Sequence, residues 1–239
     1  MVEMCKHTEH GLFADDTALW SSSNTIKNLS SRLQQSVEEF QRWCDAWKLT
    51  IQPTKTEMIY FSPHPRKKYK TQLIIKVNNV IIKPQQSARY LGIIFDHKLD
   101  WRMHIRKVET KTASRIGLLR FLSRSSPNSN EKIMINIFKS LIRTVLTYGY
   151  PVLLSANNKI WNRLQITQNK AIRAALGIPP YTSVEFVHQE SNIPRIRDYA
   201  KILLERSVVR AQLQNDEQFE KLLRDTLNNL WEKKKKKKA

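Results

Sequence analysis

Two adjacent carboxylates are the sharpest chemical feature of this sequence. Asp15 and Asp16 sit in Phe13-Ala14-Asp15-Asp16-Thr17-Ala18-Leu19, between apolar arms. Like charges held so close repel one another, and a cation relieves the repulsion. Hard divalent ions take oxygen ligands, and Mg²⁺ keeps water and phosphate oxygens beside one or two carboxylates. Such a pair can serve a metal site that activates a hydroxyl and stabilises a leaving phosphate. Taken alone, Asp-Asp-Thr also suits a solvated turn. Cys5, His7, His10 and Cys44 fit no closed zinc site by their spacing.

Elements must hold these acids in place. Residues 10–22 read as a β-hairpin with Asp15-Asp16 at its polar tip. Ser23-Asn24-Thr25 offers a helix cap. Ile26, Leu29, Leu33, Val37, Phe40, Trp43 and Trp47 then recur at steps of three and four, which predicts a long amphipathic helix with one apolar stripe facing a sheet. Pro53 stops continuation of the helix. Residues 57–61 read as a strand, and Arg66-Lys67-Lys68-Tyr69-Lys70 as a basic loop. Asn78-Asn79 marks a two-residue turn between strands 73–77 and 80–82. Residues 87–95 read as one further strand with Gly92 inside it, where glycine marks a bulge or a close approach of another backbone.

From residue 100 the period becomes helical. Trp101, Ile105, Val108, Thr112, Ile116 and Leu119 form one face. Lys107, Lys111 and Arg115 recur on another, joined by Arg102 and Arg106. Asn128 and Glu131 suggest a capped helix with Ile133, Ile137, Leu141 and Val145 on its apolar face. A helix over 157–176 is stopped by Gly177, with Pro179-Pro180 behind it. Thr182 and Glu185 suggest another capped start, Pro194 suits the first turn of a helix running to residue 213, and a last helix covers about 216–230. The fold class is therefore α+β: a β-rich part over residues 1–100, a basic helical region over 101–180, C-terminal helices over 181–232 and a lysine tail over 233–239.

Charge follows the same division. The 239 residues carry 41 Lys and Arg against 21 Asp and Glu, a net charge of +20. Residues 1–100 contribute +4, residues 101–180 contribute +12, residues 181–232 contribute −2, and the six lysines Lys233 to Lys238 the rest. A folded segment at +12 favours a polyanion, and nucleic acid is the natural counter-charge. No apolar run reaches the ~18–20 residues that span a bilayer, the N-terminus has no signal-peptide core, and two cysteines do not make a disulfide scaffold. The expectation is an intracellular protein of nucleus or cytoplasm, with neither a membrane nor a disulfide partner.

The motifs also occur in a familiar order. Phe13-Ala14-Asp15-Asp16-Thr17-Ala18-Leu19, a long helix, Leu49-Thr50-Ile51-Gln52-Pro53-Thr54-Lys55-Thr56-Glu57 and then Tyr90-Leu91-Gly92-Ile93-Ile94-Phe95-Asp96 together resemble the reverse transcriptases of non-LTR (LINE-type) retrotransposons, jockey-like elements in particular. Leu146-Thr147-Tyr148-Gly149-Tyr150 and Leu164-Gln165-Ile166-Thr167-Gln168-Asn169-Lys170-Ala171-Ile172-Arg173 resemble the region after the polymerase core.

The resemblance implies part of a polymerase palm followed by a helical thumb. It places Asp15 and Asp16 as catalytic Mg²⁺ ligands and Lys55 beside the incoming deoxynucleoside triphosphate. Tyr90, Leu91 and Gly92 become a primer grip. Arg102, Arg106, Lys107, Lys111 and Arg115 become contacts to an RNA–DNA hybrid of RNA template and DNA primer. In the family another aspartate motif and the fingers precede the Asp-Asp hairpin. With fourteen residues before Asp15, the expectation is a truncated RNA-directed DNA polymerase, inactive alone. The alternative is a non-catalytic, non-specific nucleic-acid-binding fragment. The lysine run suits translation into an adenine tract, or a plain basic tail.

Overall fold

The computed structural model describes residues 7–62, 73–125 and 130–235. Cys5, the basic loop at 66–70, Asn128 and the tail from Lys236 lie outside the described residues. The chain divides into two compact units, Met1–Leu99 and Asp100–Ala239.

In the first unit, β1 (Thr8–Phe13) pairs antiparallel with β2 (Asp16–Ser21). Helix α1 (Ile26–Ala46) follows, its N-terminus capped by Thr25, whose hydroxyl accepts a hydrogen bond from the Asn28 amide at 3.3 Å. Leu29 and Val37 of α1 enter an apolar core with Met58, Leu73, Ile75, Val77 and Ile82, and Leu19 of β2 packs against it. The helix therefore lies on the hairpin face that carries Leu19. Trp47, expected at the end of the stripe, is 68% exposed where the helix stops. Cys44 is a buried free thiol; burial foremost, and Asp45 beside it, push its pKa up.

A short 3-10 turn (Pro53–Lys55) leads to β3 (Met58–Ile59), which is shorter than the expected 57–61 and pairs parallel with β6 (Pro84–Gln85). Strands β4 (Ile75–Val77) and β5 (Val80–Ile82) flank Asn78 and Asn79, at φ 46° and 63°. Both turn residues are left-handed, as a twisted two-residue hairpin requires. Residues 87–95 are not one strand. β7 (Ser87–Tyr90) turns at Leu91-Gly92 (φ 46° and 80°) into β8 (Ile93–Asp96). Gly92 thus serves a turn and not a bulge.

The second unit is helical. α2 (Arg102–Ser125) buries His104, Ile105, Val108, Thr112, Ile116 and Leu119, and Trp101 is buried just before it. Burial foremost, and Lys107 next, lower the pKa of His104. α3 (Glu131–Phe138) is capped by Asn130, whose side chain accepts from the Lys132 amide at 2.9 Å. A π-helical turn (Lys139–Arg143) and α4 (Thr144–Leu146) continue it.

The buried side of this stretch is Met134, Ile135, Phe138, Ile142 and Leu146, while Ile133 and Leu141 face outward. The expected face 133/137/141/145 is therefore one residue out of register. Apolar residues at 133, 134, 135, 137 and 138 spread over about 200° of the helix, too wide an arc for their pattern to fix which side is buried.

α5 (Tyr150–Leu153) starts after Gly149 at φ 71°. α6 (Asn158–Leu176) is capped by Asn157 and ends at Gly177, φ 66°. α7 (Val184–Ser191) is capped by Ser183 and not Thr182. α8 (Ile196–Leu213) begins two residues after Pro194, and α9 (Glu217–Lys235) pairs with it. The fold class is α+β, small strand pairs followed by packed helices. No helix of the described residues is long and apolar enough to cross a membrane.

Candidate functional site

The register of the first hairpin decides where its acids stand. Phe13 pairs with Asp16, so the turn is Ala14-Asp15, and Asp16 is the first residue of β2. Ala14 takes φ 52°, a conformation that costs an L-residue roughly 1–2 kcal/mol. Asp15 is presented at the tip. Asp16 lies on a strand face, which it shares by alternation with Ala18 and Trp20 and, across the pair, with Phe13 and Gly11. Both acids are exposed, and Phe13 beside them is 65% exposed.

Gly11 places a further group on this face. A Cβ there would come within 3.3 Å of the Trp20 ring and 3.4 Å of the Tyr90 hydroxyl. The missing side chain leaves room chiefly for the Trp20 ring, and the Tyr90 hydroxyl reaches the strand pair on the face that carries Asp16. The Trp20 indole N–H donates to Glu9 Oε2 at 2.9 Å, fixing the ring across the strands.

Tyr90 closes the Leu91-Gly92 turn by pairing with Ile93. One residue earlier, the Arg89 amide donates to Glu57 Oε2 at 2.9 Å. Glu57 follows the turn that holds exposed Lys55, whose amide donates to the Gln52 carbonyl at 3.1 Å. Two contacts thus connect three motifs distant in sequence: Gly11 with Tyr90, and Arg89 with Glu57. Among the described residues no group of three or more His, Cys, Asp or Glu side chains could hold a metal ion. The two acids are hard oxygen donors, suited in kind to Mg²⁺ and few in number.

The five cations on α2 occupy two different flanks. At about 100° per residue, Lys107, Lys111 and Arg115 fall on one side, Arg102 and Arg106 on the other. Arg115 donates through Nη1 to the Leu141 carbonyl in the π-helical turn. Arg102 pairs with Asp100 at 2.7 Å. Arg106, Lys107 and Lys111 are exposed.

Sequence reasoning did not find the work of the polar residues in the 164–173 block, which build structure. Gln168 is fully buried and donates to the Pro194 carbonyl at 2.8 Å. Gln165 accepts from the Ile196 amide at 3.0 Å and donates to Asn169 at 2.7 Å. Arg173 donates to the Thr182 carbonyl at 2.7 Å. These bonds bracket α7 and the start of α8 onto α6. Their spacing of three, four and five residues along one helix is the signal that could have shown it.

Comparison with known proteins bears on both units. Residues 1–95 match the family model of reverse transcriptase (RNA-dependent DNA polymerase). Over 186 residues the chain is 26% identical to the RNA-directed DNA polymerase from mobile element jockey of Drosophila melanogaster, an alignment covering 78% of this chain and 20% of that protein. The probable RNA-directed DNA polymerase from transposon BS, also of Drosophila melanogaster, is 26% identical over the same coverage. The corresponding X-element protein is 21% identical. The aligned stretch spans about a fifth of the length of these relatives. No solved structure gives a significant match.

Proposed function

We propose that the chain, whose residues 1–95 match the family model of reverse transcriptase and whose sequence is similar to the polymerases of jockey-like elements, is part of the RNA-directed DNA polymerase of a non-LTR retrotransposon. Its substrates are an RNA template, a DNA primer and deoxynucleoside triphosphates. Asp15 and Asp16 hold Mg²⁺. When bound, the metal supplies activation of the primer 3′-hydroxyl and charge stabilisation of the departing pyrophosphate. Asp15, at the open tip, is the more direct ligand, and Asp16 anchors the pair to the strand.

Lys55 supplies positive charge beside the triphosphate, where its ammonium can donate to phosphate oxygens. Tyr90, Leu91 and Gly92 grip the primer end, and the tight turn brings backbone N–H groups close to the nucleic-acid backbone. The observation that carries this reading is the contact between Gly11 and Tyr90. It brings the Tyr90 hydroxyl to the strand face that also carries Asp16, which supports the reading. Among the described residues no third acid joins Asp15 and Asp16, and two carboxylates alone hold metal weakly, so these residues on their own are expected to extend a primer poorly.

The second reading, a non-catalytic nucleic-acid binder, is favoured by the charge of the helical unit. Residues 101–180 carry 14 basic and two acidic side chains. Its contacts read shape and phosphate and not base sequence.

A primer whose 3′-terminal nucleotide carries a photoreactive group separates the two readings. Annealed to an RNA template and bound by the chain, it is expected to crosslink within residues 88–93 and 11–17. Crosslinks confined to the helical unit would leave binding alone.

A further inference from the structure

The two basic flanks of α2 are not equivalent, because one of them faces α6. Glu109 of α2 and Arg163 of α6 form a two-pronged ion pair, with Arg163 Nε donating at 2.9 Å to Glu109 Oε1 and its Nη2 donating to the other carboxylate oxygen. Fourteen residues further along both helices, Ser123 Oγ lies 3.6 Å from the position of a Cβ on Gly177. Equal spacing in both helices means that α2 and α6 run parallel along a shared seam.

The ion pair fixes the orientation of every other residue on these helices. Counting about 100° per residue, Arg120 lies within about 20° of Glu109, and Arg106 and Arg124 within about 60°. On α6, Lys170 lies about 20° from Arg163 and Lys159 about 40°. All five cations are exposed. Lys107 and Lys111 lie about 160° away, on the far flank.

Resting on the function proposed above, we infer that the α2–α6 seam is the nucleic-acid track of the helical unit, with Arg106, Arg120, Arg124, Lys159 and Lys170 as its phosphate contacts. Arg106 and Lys159 stand at one end of the seam, Lys170, Arg120 and Arg124 at the other. At 1.5 Å per residue the two groups are separated by roughly 20 Å. That is further than neighbouring phosphates of one strand, so the two groups take phosphates well apart, on one backbone or on the two that flank a duplex groove. Between them the Glu109–Arg163 pair neutralises itself, leaving a waist with no net charge. The mechanism is counterion release, which contributes about 0.9 to the slope of log affinity against log salt for each phosphate neutralised.

The test is a salt titration of the whole chain with a fluorescent 20-base-pair RNA–DNA hybrid, read by anisotropy. The variant Arg106→Gln/Arg120→Gln/Arg124→Gln/Lys170→Gln is expected to lower the magnitude of the slope by about 3 to 4. Lys107→Gln/Lys111→Gln, which changes the far-flank pair that the resemblance alone assigns to the hybrid and the track does not include, is expected to leave it within about one unit. Circular dichroism confirms that both variants fold, since every changed side chain is exposed. A folded fourfold variant with an unchanged slope, or a larger loss in the Lys107/Lys111 variant, overturns the track while leaving nucleic-acid binding intact. No binding of the hybrid by the unmodified chain, or equal binding to phosphatidylserine vesicles, overturns the nucleic-acid reading and the track with it.

Discussion

Phe138→Ala is expected to destabilise the helical unit by about 3–5 kcal/mol, the usual cost of emptying a phenylalanine site in a packed core. Phe138 is fully buried on α3, which packs against α6. A loss of this size consumes much of the ~5–15 kcal/mol that holds an ordinary domain together. Ile133→Ala is the matching control. Sequence periodicity assigns Ile133 to the buried face, yet it is 57% exposed, and the substitution is expected to change stability by no more than about 0.5 kcal/mol. Urea unfolding followed by far-ultraviolet circular dichroism measures both. Equal losses in the two variants would restore the periodic register and refute the one described above.

Asp15→Asn is expected to reduce primer extension more than about 100-fold. Residues that merely orient metal ligands already cost 10–100-fold when changed, and Asp15 is proposed to bind the metal itself. Asparagine preserves shape and removes the charge. The setting is a jockey polymerase in which residues 7–99 replace the matching stretch, assayed on poly(rA)–oligo(dT) once the Asp15 form has shown extension. A variant rate within a few-fold of that form would remove Asp15 from catalysis.

Parts of this architecture could be read directly from residue order. All six positions of the stripe from Trp101 to Leu119 are buried, and as far as Arg115 mostly polar residues separate them, so the face stands out although Met103, Leu118 and Phe121 are exposed elsewhere on the helix. Asn78-Asn79 marks its turn because asparagine tolerates positive φ. Leu91-Gly92 was hidden. Leucine is a poor marker of a left-handed turn, and the apolar residues 93–95 read through it as a continuing strand. The caps at Asn130 and Ser183 were misplaced by one or two residues because neighbouring Asn, Ser and Thr compete for the same role.

The site shows the same contrast. Asp15 and Asp16 were legible as a pair at a bend, but not that one occupies the turn and the other the strand. That difference is set by the Phe13–Asp16 register. The meeting of Tyr90 with Gly11 joins residues 79 positions apart, and the only local hint was a glycine within a strand. Likewise Arg102, Arg106, Lys107, Lys111 and Arg115 form one basic list in sequence. The Glu109–Arg163 pair divides them between a seam and the opposite flank.

Paramagnetic mapping with Mn²⁺ tests the central claim most directly, since Mn²⁺ takes the same hard oxygen ligands as Mg²⁺. In ¹H–¹⁵N spectra of the whole chain, sub-stoichiometric Mn²⁺ is expected to broaden the amides of Phe13 to Thr17 first. Competing Mg²⁺ should relieve the broadening, and Asp15→Asn/Asp16→Asn should abolish it. Broadening centred elsewhere, or unchanged at the hairpin after both acids are replaced, would contradict the account.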